Sequence, residues 1–443
     1  MSLPEADPTD RYCVIGAGAA GLETLRTLTA AGIPVDCYER TDRVGGHWHT
    51  DYDFLHLITP RDASGFDGHP MPPEYPAFPS RRQVCDYLDG FAREHRLRER
   101  ITFDTEVLGL DPIDDGAKGW RVRTSDGAST EYRGVIVCNG HLWSPRLPAE
   151  AAAFTGTSLH SGRYRNTGDI GGESVLVVGA GNSGCDIAVD AANAGYRTYI
   201  SVRSGHVFQP KTFFGRPRGE LPVLRRLPGW LQERVARALV TVSVGGHERY
   251  PGLPAPATRN LNRQPPVVND LLLYWIQHGR ITPVPGVSGA GGRTVNFTDG
   301  SRLDVDTVVW ATGFEVAFPF LDDDLLRWQG GVPLRVGAMT LPVGRPGLYF
   351  VGLAAPRGGQ NPVYSAQARL VARMISAQRR LDVPLCELFA AAEPPDARID
   401  ILRPLWFDQL ARARKTLTTL ERRASPGVPA QGKTFANQRK SRL

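Results

Sequence analysis

An α/β fold with two Rossmann-like, three-layer dinucleotide-binding domains, the second inserted in the first, is predicted by a signature that occurs twice. Gly16-Ala17-Gly18-Ala19-Ala20-Gly21 and Gly179-Ala180-Gly181-Asn182-Ser183-Gly184 share one GxGxxG spacing. Each follows an apolar run, Tyr12 to Ile15 and Val175 to Val178, that reads as a buried parallel strand. The glycines then read as a tight turn at a helix N-terminus, where backbone can approach a pyrophosphate. A third observation extends the repeat. Gly119 to Gly127 leads to Val135–Gly140, and Gly292 to Gly300 leads to Val308–Gly313. Each pair reads as a hairpin with an Asp-Gly turn followed by a buried strand that ends at a glycine.

Taken in order, the elements separate the two ligands. After the first turn an amphipathic helix (Leu22, Leu25, Leu28) leads to Val35-Asp36-Cys37-Tyr38-Glu39, a strand ending in an acid. A carboxylate there accepts from a ribose 2′-hydroxyl, so this site suits the unphosphorylated adenosine of FAD or NAD. After the second turn the matching strand, Thr198 to Ser204, has no acid. Arg203, with Ser201, Ser204 and Lys211, is placed to bind a 2′-phosphate, which selects NADP(H). FAD on the first copy and NADPH on the second is the layout of two-dinucleotide flavoproteins. The expected boundaries are an FAD-binding domain over 1–168 and 316–421, an NADPH-binding domain over 169–315 with an insertion at 216–266, and a disordered basic tail over 422–443. Within the insertion, Leu221 to Val244 carries apolar residues at helical spacing, and Pro222, Pro228 and Gly229 predict that it breaks into short helices over the active-site entrance. Tyr250 to Pro266 is Pro-rich and reads as an outer wrap.

Composition fits a globular enzyme of more than one core: 443 residues, 41% hydrophobic and 22% charged. No apolar run is long enough to span a bilayer, and Met1 to Asp7 lacks the form of a signal sequence, so the expectation is a cytoplasmic protein without stable membrane insertion. The net charge of +6 lies in the tail, where Arg422, Arg423, Lys433, Arg439, Lys440 and Arg442 have no acid among them. Nucleic acid is therefore not an expected partner. The six cysteines form no CxxC pair, which removes the chemistry of a flavin disulfide reductase. His47 and His49 have no soft ligands close in sequence, and no metal is expected.

Between the two turns, Phe154-x-Gly156-xxx-His160-xxx-Tyr164-Arg165 resembles FxGxxxHxxxY(K/R), the identifying pattern of the flavin-containing monooxygenases, the class B flavoprotein monooxygenases. Glu39 to Trp48, the YPxFP run within Met71 to Pro79, Asn182 to Ala188, Asp306 to Phe314 and Gln367-Ala368-Arg369, which looks like the family's final helix, extend the resemblance over about residues 10–380. It implies that NADPH reduces FAD, NADP+ stays bound, dioxygen adds to the reduced flavin as a hydroperoxide, and one oxygen atom passes to a small organic substrate at nitrogen or sulfur. It also implies that the backbone of Gly16, Gly18, Ala20 and Gly21 holds the FAD pyrophosphate and Glu39 its ribose, with Arg40 beside it. Gly46, His47 and Trp48 would then lie near the flavin ring, and Gly179, Gly181, Asn182, Ser183 and Gly184 would hold the NADP pyrophosphate. His160 and Tyr164 fall in a linker and are expected to steer domain geometry. Few acid/base side chains are expected, because the cofactor carries the chemistry, and no catalytic residue is assigned.

The chain departs from the family in two places. Ile58 falls where many amine- and sulfur-oxidising members have asparagine, so Leu55 to Arg61 looks closer to the plant indole-pyruvate monooxygenases and admits an oxo-acid or other carbonyl substrate. Tyr164-Arg165 stands where Baeyer–Villiger enzymes have Trp-Pro. A flavin-dependent NADPH reductase or electron-transfer protein would share the two sites but not the linker pattern. The partners expected are a small-molecule substrate and dioxygen, with a homodimer left open.

Overall fold

In the computed structural model, which describes residues 10–217, 221 and 227–423, the principal elements follow in chain order. They are β1 (Tyr12–Ile15), α1 (Ala19–Ala30), β2 (Val35–Tyr38), α2 (Arg81–Glu94), β3 (Ile101–Thr102), β4 (Gly134–Val137), β5 (Thr157–His160), β6 (Ser174–Val178), α3 (Asn182–Asn193), β7 (Arg197–Ser201), α4 (Gly229–Val244), α5 (Leu271–Gln277), β8 (Ile281–Val284), β9 (Thr307–Trp310), β10 (Leu348–Phe350), α6 (Asn361–Gln378), α7 (Leu385–Ala392) and α8 (Arg403–Arg423). They build two parallel five-stranded sheets, in the orders β10-β4-β1-β2-β3 and β8-β7-β6-β9-β5. The first is completed only by β10, after the chain has passed through the second.

Strands buried on both faces explain the unbroken apolar runs. Tyr12 and Val14 pack with Leu22, Leu25 and Leu28 of α1 and with Leu370 and Met374 of α6. Cys13 and Ile15 point the other way, onto Trp120, Val122 and Tyr132 of the antiparallel strands Val107–Ile113, Gly119–Thr124 and Ser129–Tyr132. The second domain repeats the sandwich. Val175 and Val177 face Ile187 and Val189 of α3 and Leu272 of α5, while Leu176 and Val178 face Val295 and Phe297 of the antiparallel strands Val287–Gly291, Thr294–Phe297 and Arg302–Asp304. Even the hairpin turns coincide, with Gly127 and Gly300 both at φ +86°, a left-handed conformation that glycine adopts without strain.

Several details differ from expectation. β5 pairs with β9, so the second sheet takes a strand from before residue 168. α4 is one continuous helix with Pro228 at its N-cap, because proline is tolerated at a helix start; Pro222 lies outside the described residues. It packs Ala236 and Val240 against Phe213, Leu221 and Leu261 as a small separate core, and leaves Val242 80% exposed. α6, which carries Gln367 to Arg369, is followed by α7 and α8 and so is not the final helix. α8 includes Arg422 and Arg423, which were expected in the tail; residues 424–443 lie outside the described residues. Among the described residues no helix is long and apolar enough to cross a membrane.

Candidate functional site

The first turn is shaped by two glycines that the fold requires and one that it does not. Gly16 sits at φ +96°, and a Cβ there would come 3.0 Å from the Cys138 carbonyl oxygen. A Cβ on Gly21 would lie 1.8 Å from the Gly16 carbonyl oxygen. Gly18 is different: the nearest atom to its Cβ would be 3.9 Å away, on Gly46. No side chain caps α1 at Gly18, so its first N–H groups are left to a partner other than a capping side chain. A pyrophosphate fits such a cradle, because the helix N-terminus supplies both donors and favourable dipole charge.

The surrounding side chains converge on this turn. Glu39, buried at the end of β2, accepts the Ala17 N–H at 2.8 Å through Oε2 and accepts from the Thr41 N–H and hydroxyl at 3.0 and 2.9 Å through Oε1. Arg40 is exposed and lies over the Trp143 ring at 5.1 Å. The Gly45 N–H donates to the Ala17 carbonyl at 2.9 Å and Gly46 packs directly on Gly18, which brings the next residues in close. His47 pairs with Asp51 at 2.6 Å and stacks on Trp48 at 5.1 Å. The return of the chain adds residues that sequence reasoning missed. Gly352, at φ +88° just beyond β10, abuts Ala20. Its N–H donates to Gln367 Oε1 at 3.1 Å, leaving the buried Gln367 Nε2 without a partner. His141 lies by Gly352, and burial pushes its pKa down. The one available signal was the apolar run Leu348 to Val351 ending at a glycine, the same ending as the strand before Gly140.

The second turn repeats the first. Gly179, at φ +112°, would place a Cβ 2.4 Å from the Ala311 carbonyl oxygen, and Gly184 would place one 2.0 Å from that of Gly179. Gly181 meets nothing within 4 Å and leaves α3 uncapped by any side chain. Asn182 Oδ1 accepts the Val268 N–H at 2.9 Å, and Ser183 lies beside the Tyr52 hydroxyl. Beyond β7, Arg203 and Ser204 are exposed, and Arg203 has no hydrogen-bond or ion-pair partner among the described residues. Ser201 does not join them: its hydroxyl is buried and donates to the Pro285 carbonyl at 2.7 Å. Lys211 is grouped instead with the interdomain cleft, 5.5 Å from the Phe78 ring and facing Asp186 and Asp270. Burial pushes its pKa down, and the two acids oppose that. Asp186 accepts from Tyr52 Oη at 2.9 Å and Asn269 Nδ2 at 2.7 Å, and burial holds its pKa up. Ile58, 39% exposed, follows the same segment as Tyr52.

The linker pattern proves to be a packing device. A Cβ on Gly156 would strike the Asp306 carbonyl oxygen at 2.5 Å and the Phe154 ring at 2.7 Å. His160 Nδ1 accepts the Gly162 N–H at 3.0 Å, so its proton is on Nε2, which donates to the Gly313 carbonyl at 2.9 Å. Burial pushes the His160 pKa down, which keeps that tautomer neutral. Tyr164 is fully buried and donates to Asp190 of α3 at 2.7 Å. Asp306 accepts the N–H groups of Glu173 and Ser174 at 2.9 and 3.0 Å and the Ser174 hydroxyl at 2.8 Å, and pairs with Arg293. Those bonds bring its pKa down to about 2.

Two sandwiches, each with a glycine turn open at a helix N-terminus, define an oxidoreductase of the two-dinucleotide type. The family model described as flavin-binding monooxygenase-like matches residues 9–388. The chain is 30% identical over 427 residues to dimethylaniline monooxygenase [N-oxide-forming] 2 of Rattus norvegicus, covering 88% of this chain and 78% of that protein. It is 30% identical over 373 residues to the probable indole-3-pyruvate monooxygenase YUCCA8 of Arabidopsis thaliana, covering 79% and 87%. In fold it is similar to a closed crystal structure of cyclohexanone monooxygenase, with a TM-score of 0.70 at 16% identity over 94% of this chain and 98% of that one. The chain belongs to the flavin-binding monooxygenase-like family, and is an FAD-dependent monooxygenase that uses NADPH.

Proposed function

We propose that this enzyme holds FAD on the first turn and NADPH on the second, and transfers one atom of dioxygen to an amine nitrogen or a sulfur of a small-molecule substrate. The observation that carries the reading is the family match over residues 9–388, with a relative named for N-oxide formation at 30% identity. In this reading Gly16, Gly18, Ala20 and Gly21 receive the FAD pyrophosphate, Glu39 receives the ribose, Arg40 stands at the rim, and Gly46, His47 and Trp48 flank the ring system. Gly179, Gly181, Asn182, Ser183 and Gly184 receive the NADP pyrophosphate, and Arg203 and Ser204 the 2′-phosphate. Bound FAD supplies the passage of electrons from NADPH to dioxygen. The protein's own residues position the partners and exclude water. A nitrogen or sulfur lone pair needs no protein base.

Ile58 favours a second reading, a carbonyl substrate such as an oxo-acid, since a relative named for indole-3-pyruvate matches equally well. We infer a cytoplasmic location, because all six cysteines are free and buried, as expected where thiols stay reduced. The test is NADPH consumption under isotopically labelled dioxygen with an amine, a sulfide, a ketone and an oxo-acid. Label in an N-oxide or sulfoxide supports the first reading, and label only in a carbonyl-derived product supports the second. NADPH oxidation with no label in any organic product would leave an oxidase and end both.

A further inference from the structure

Away from both glycine turns, the far end of α2 carries a cluster that the oxygenation chemistry does not use. Glu94 closes the helix, His95 is its C-cap, and His69 reaches both from the loop that precedes it in sequence. One ligand atom from each lies within 4.8 Å of the other two, and among the described residues no other such trio of His, Cys, Asp or Glu occurs. His69 Nδ1 stands 3.4 Å from Glu94 Oε1. Two ligands on a tetrahedral zinc ion have about that separation when the metal bonds are near 2.1 Å.

The rings are held in place by packing. Both imidazoles meet Phe91 edge to face, His69 at 5.0 Å and His95 at 4.7 Å between centroids, and they lie 5.7 Å from each other. Tyr87 Oη donates to the His69 carbonyl at 2.7 Å, which fixes the loop. His95 Nε2 is buried without a hydrogen-bond partner, a state that costs free energy and that an ion bound at this nitrogen would relieve. Glu94 lies at the negative end of the helix dipole, where a carboxylate is disfavoured and a bound dication is welcome. Arg26, whose charge is felt at His95, is itself held by a two-pronged contact with Glu23 at 2.8 and 2.6 Å.

We propose that His69, Glu94 and His95 form a binding site for a divalent transition ion of the zinc class, with water completing its coordination. Two imidazole nitrogens and one carboxylate oxygen select zinc over calcium or magnesium, which take oxygen ligands. The role is structural: the ion ties the loop before the YPxFP run to the end of the helix whose first residue, Arg81, donates to the Trp48 carbonyl at 3.3 Å. His69 lies too far along the chain from Glu94 and His95 for a spacing rule to join them, which is why the sequence predicts no metal.

Titration of the chelator-treated, FAD-loaded enzyme with zinc chloride tests this by calorimetry and by melting temperature. Wild-type protein is expected to bind one ion per chain at about micromolar affinity and to gain roughly 2–4 °C in Tm at saturating zinc. His69→Ala and His95→Ala are each expected to weaken binding by about tenfold or more, Glu94→Gln by less, and His278→Ala not at all. Flavin absorbance confirms folding, and His95→Gln replaces His95→Ala if the latter fails to hold FAD. The proposal is overturned if wild-type protein binds no stoichiometric zinc below about millimolar concentration, or if folded protein lacking both imidazoles binds it as well as wild type.

Discussion

A methyl group would test each glycine of the two turns differently. Gly18→Ala puts its methyl in ordinary contact with Gly46 at 3.9 Å, so the protein is expected to fold while losing roughly tenfold or more in FAD affinity, because the pyrophosphate can no longer reach the backbone. Gly21→Ala puts the methyl 1.8 Å from the Gly16 carbonyl oxygen, so insoluble or unfolded protein is expected. Circular dichroism together with FAD stoichiometry separates the two outcomes. On the second turn, Arg203→Ala removes a guanidinium that has no hydrogen-bond or ion-pair partner among the described residues. The expected result is a KM for NADPH raised about 10- to 100-fold with that for NADH little changed, the worth of a charge-assisted pair of hydrogen bonds to phosphate. Equal losses with both nucleotides would place the 2′-phosphate elsewhere.

The linker from Phe154 to Arg165 shows how the residues of an identifying pattern can each hold a packing contact. Its glycine makes room for a ring, its histidine holds the backbone at Gly313, and its tyrosine reaches α3. Tyr164→Phe leaves the half-buried Asp190 without its donor and is expected to cost about 1–3 kcal/mol in a denaturant melt. Asp306 gives the same region a signature in acid. Its folded pKa is depressed to about 2, so its contribution is fully present above the ordinary carboxylate range and is lost as pH falls from about 4 through 2. Asp306→Asn is expected to flatten the acid limb of the stability curve over that window, and an unchanged limb would refute the assignment. The sequence made such elements legible where local rules apply: strand, glycine turn, helix and terminal acid are all short-range chemistry. Pairings across the chain were not legible. Ser201 reads as a phosphate ligand until its hydroxyl is seen to bind Pro285, and Lys211 reads as a neighbour of Arg203 until it is found beside Phe78. Gly352, Gln367 and His141 carry no nucleotide spacing, because the fold alone brings Gly352 to Ala20 and the other two to Gly352.

Across the whole molecule the two domains are joined by polar contacts that titrate. Tyr52, in the first, donates to the buried Asp186 of the second, whose pKa is raised by burial. An acid raised in the folded state favours folding while protonated, and that advantage is lost as pH rises through its folded pKa. Tyr52→Phe raises it further, so the Tm deficit of this variant is expected to be small at about pH 4 and larger at about pH 7. A deficit independent of pH would assign the loss to packing alone. A further consequence follows from β10, which pairs with β4 across the intervening second domain. On the ribosome, the second sheet has all its strands once Trp310 has emerged, whereas the first waits for Phe350 and then for α6 to cover α1. The second domain can therefore mature while the first is still an open edge, and nascent chains halted before that last strand would be clients for chaperones rather than for FAD.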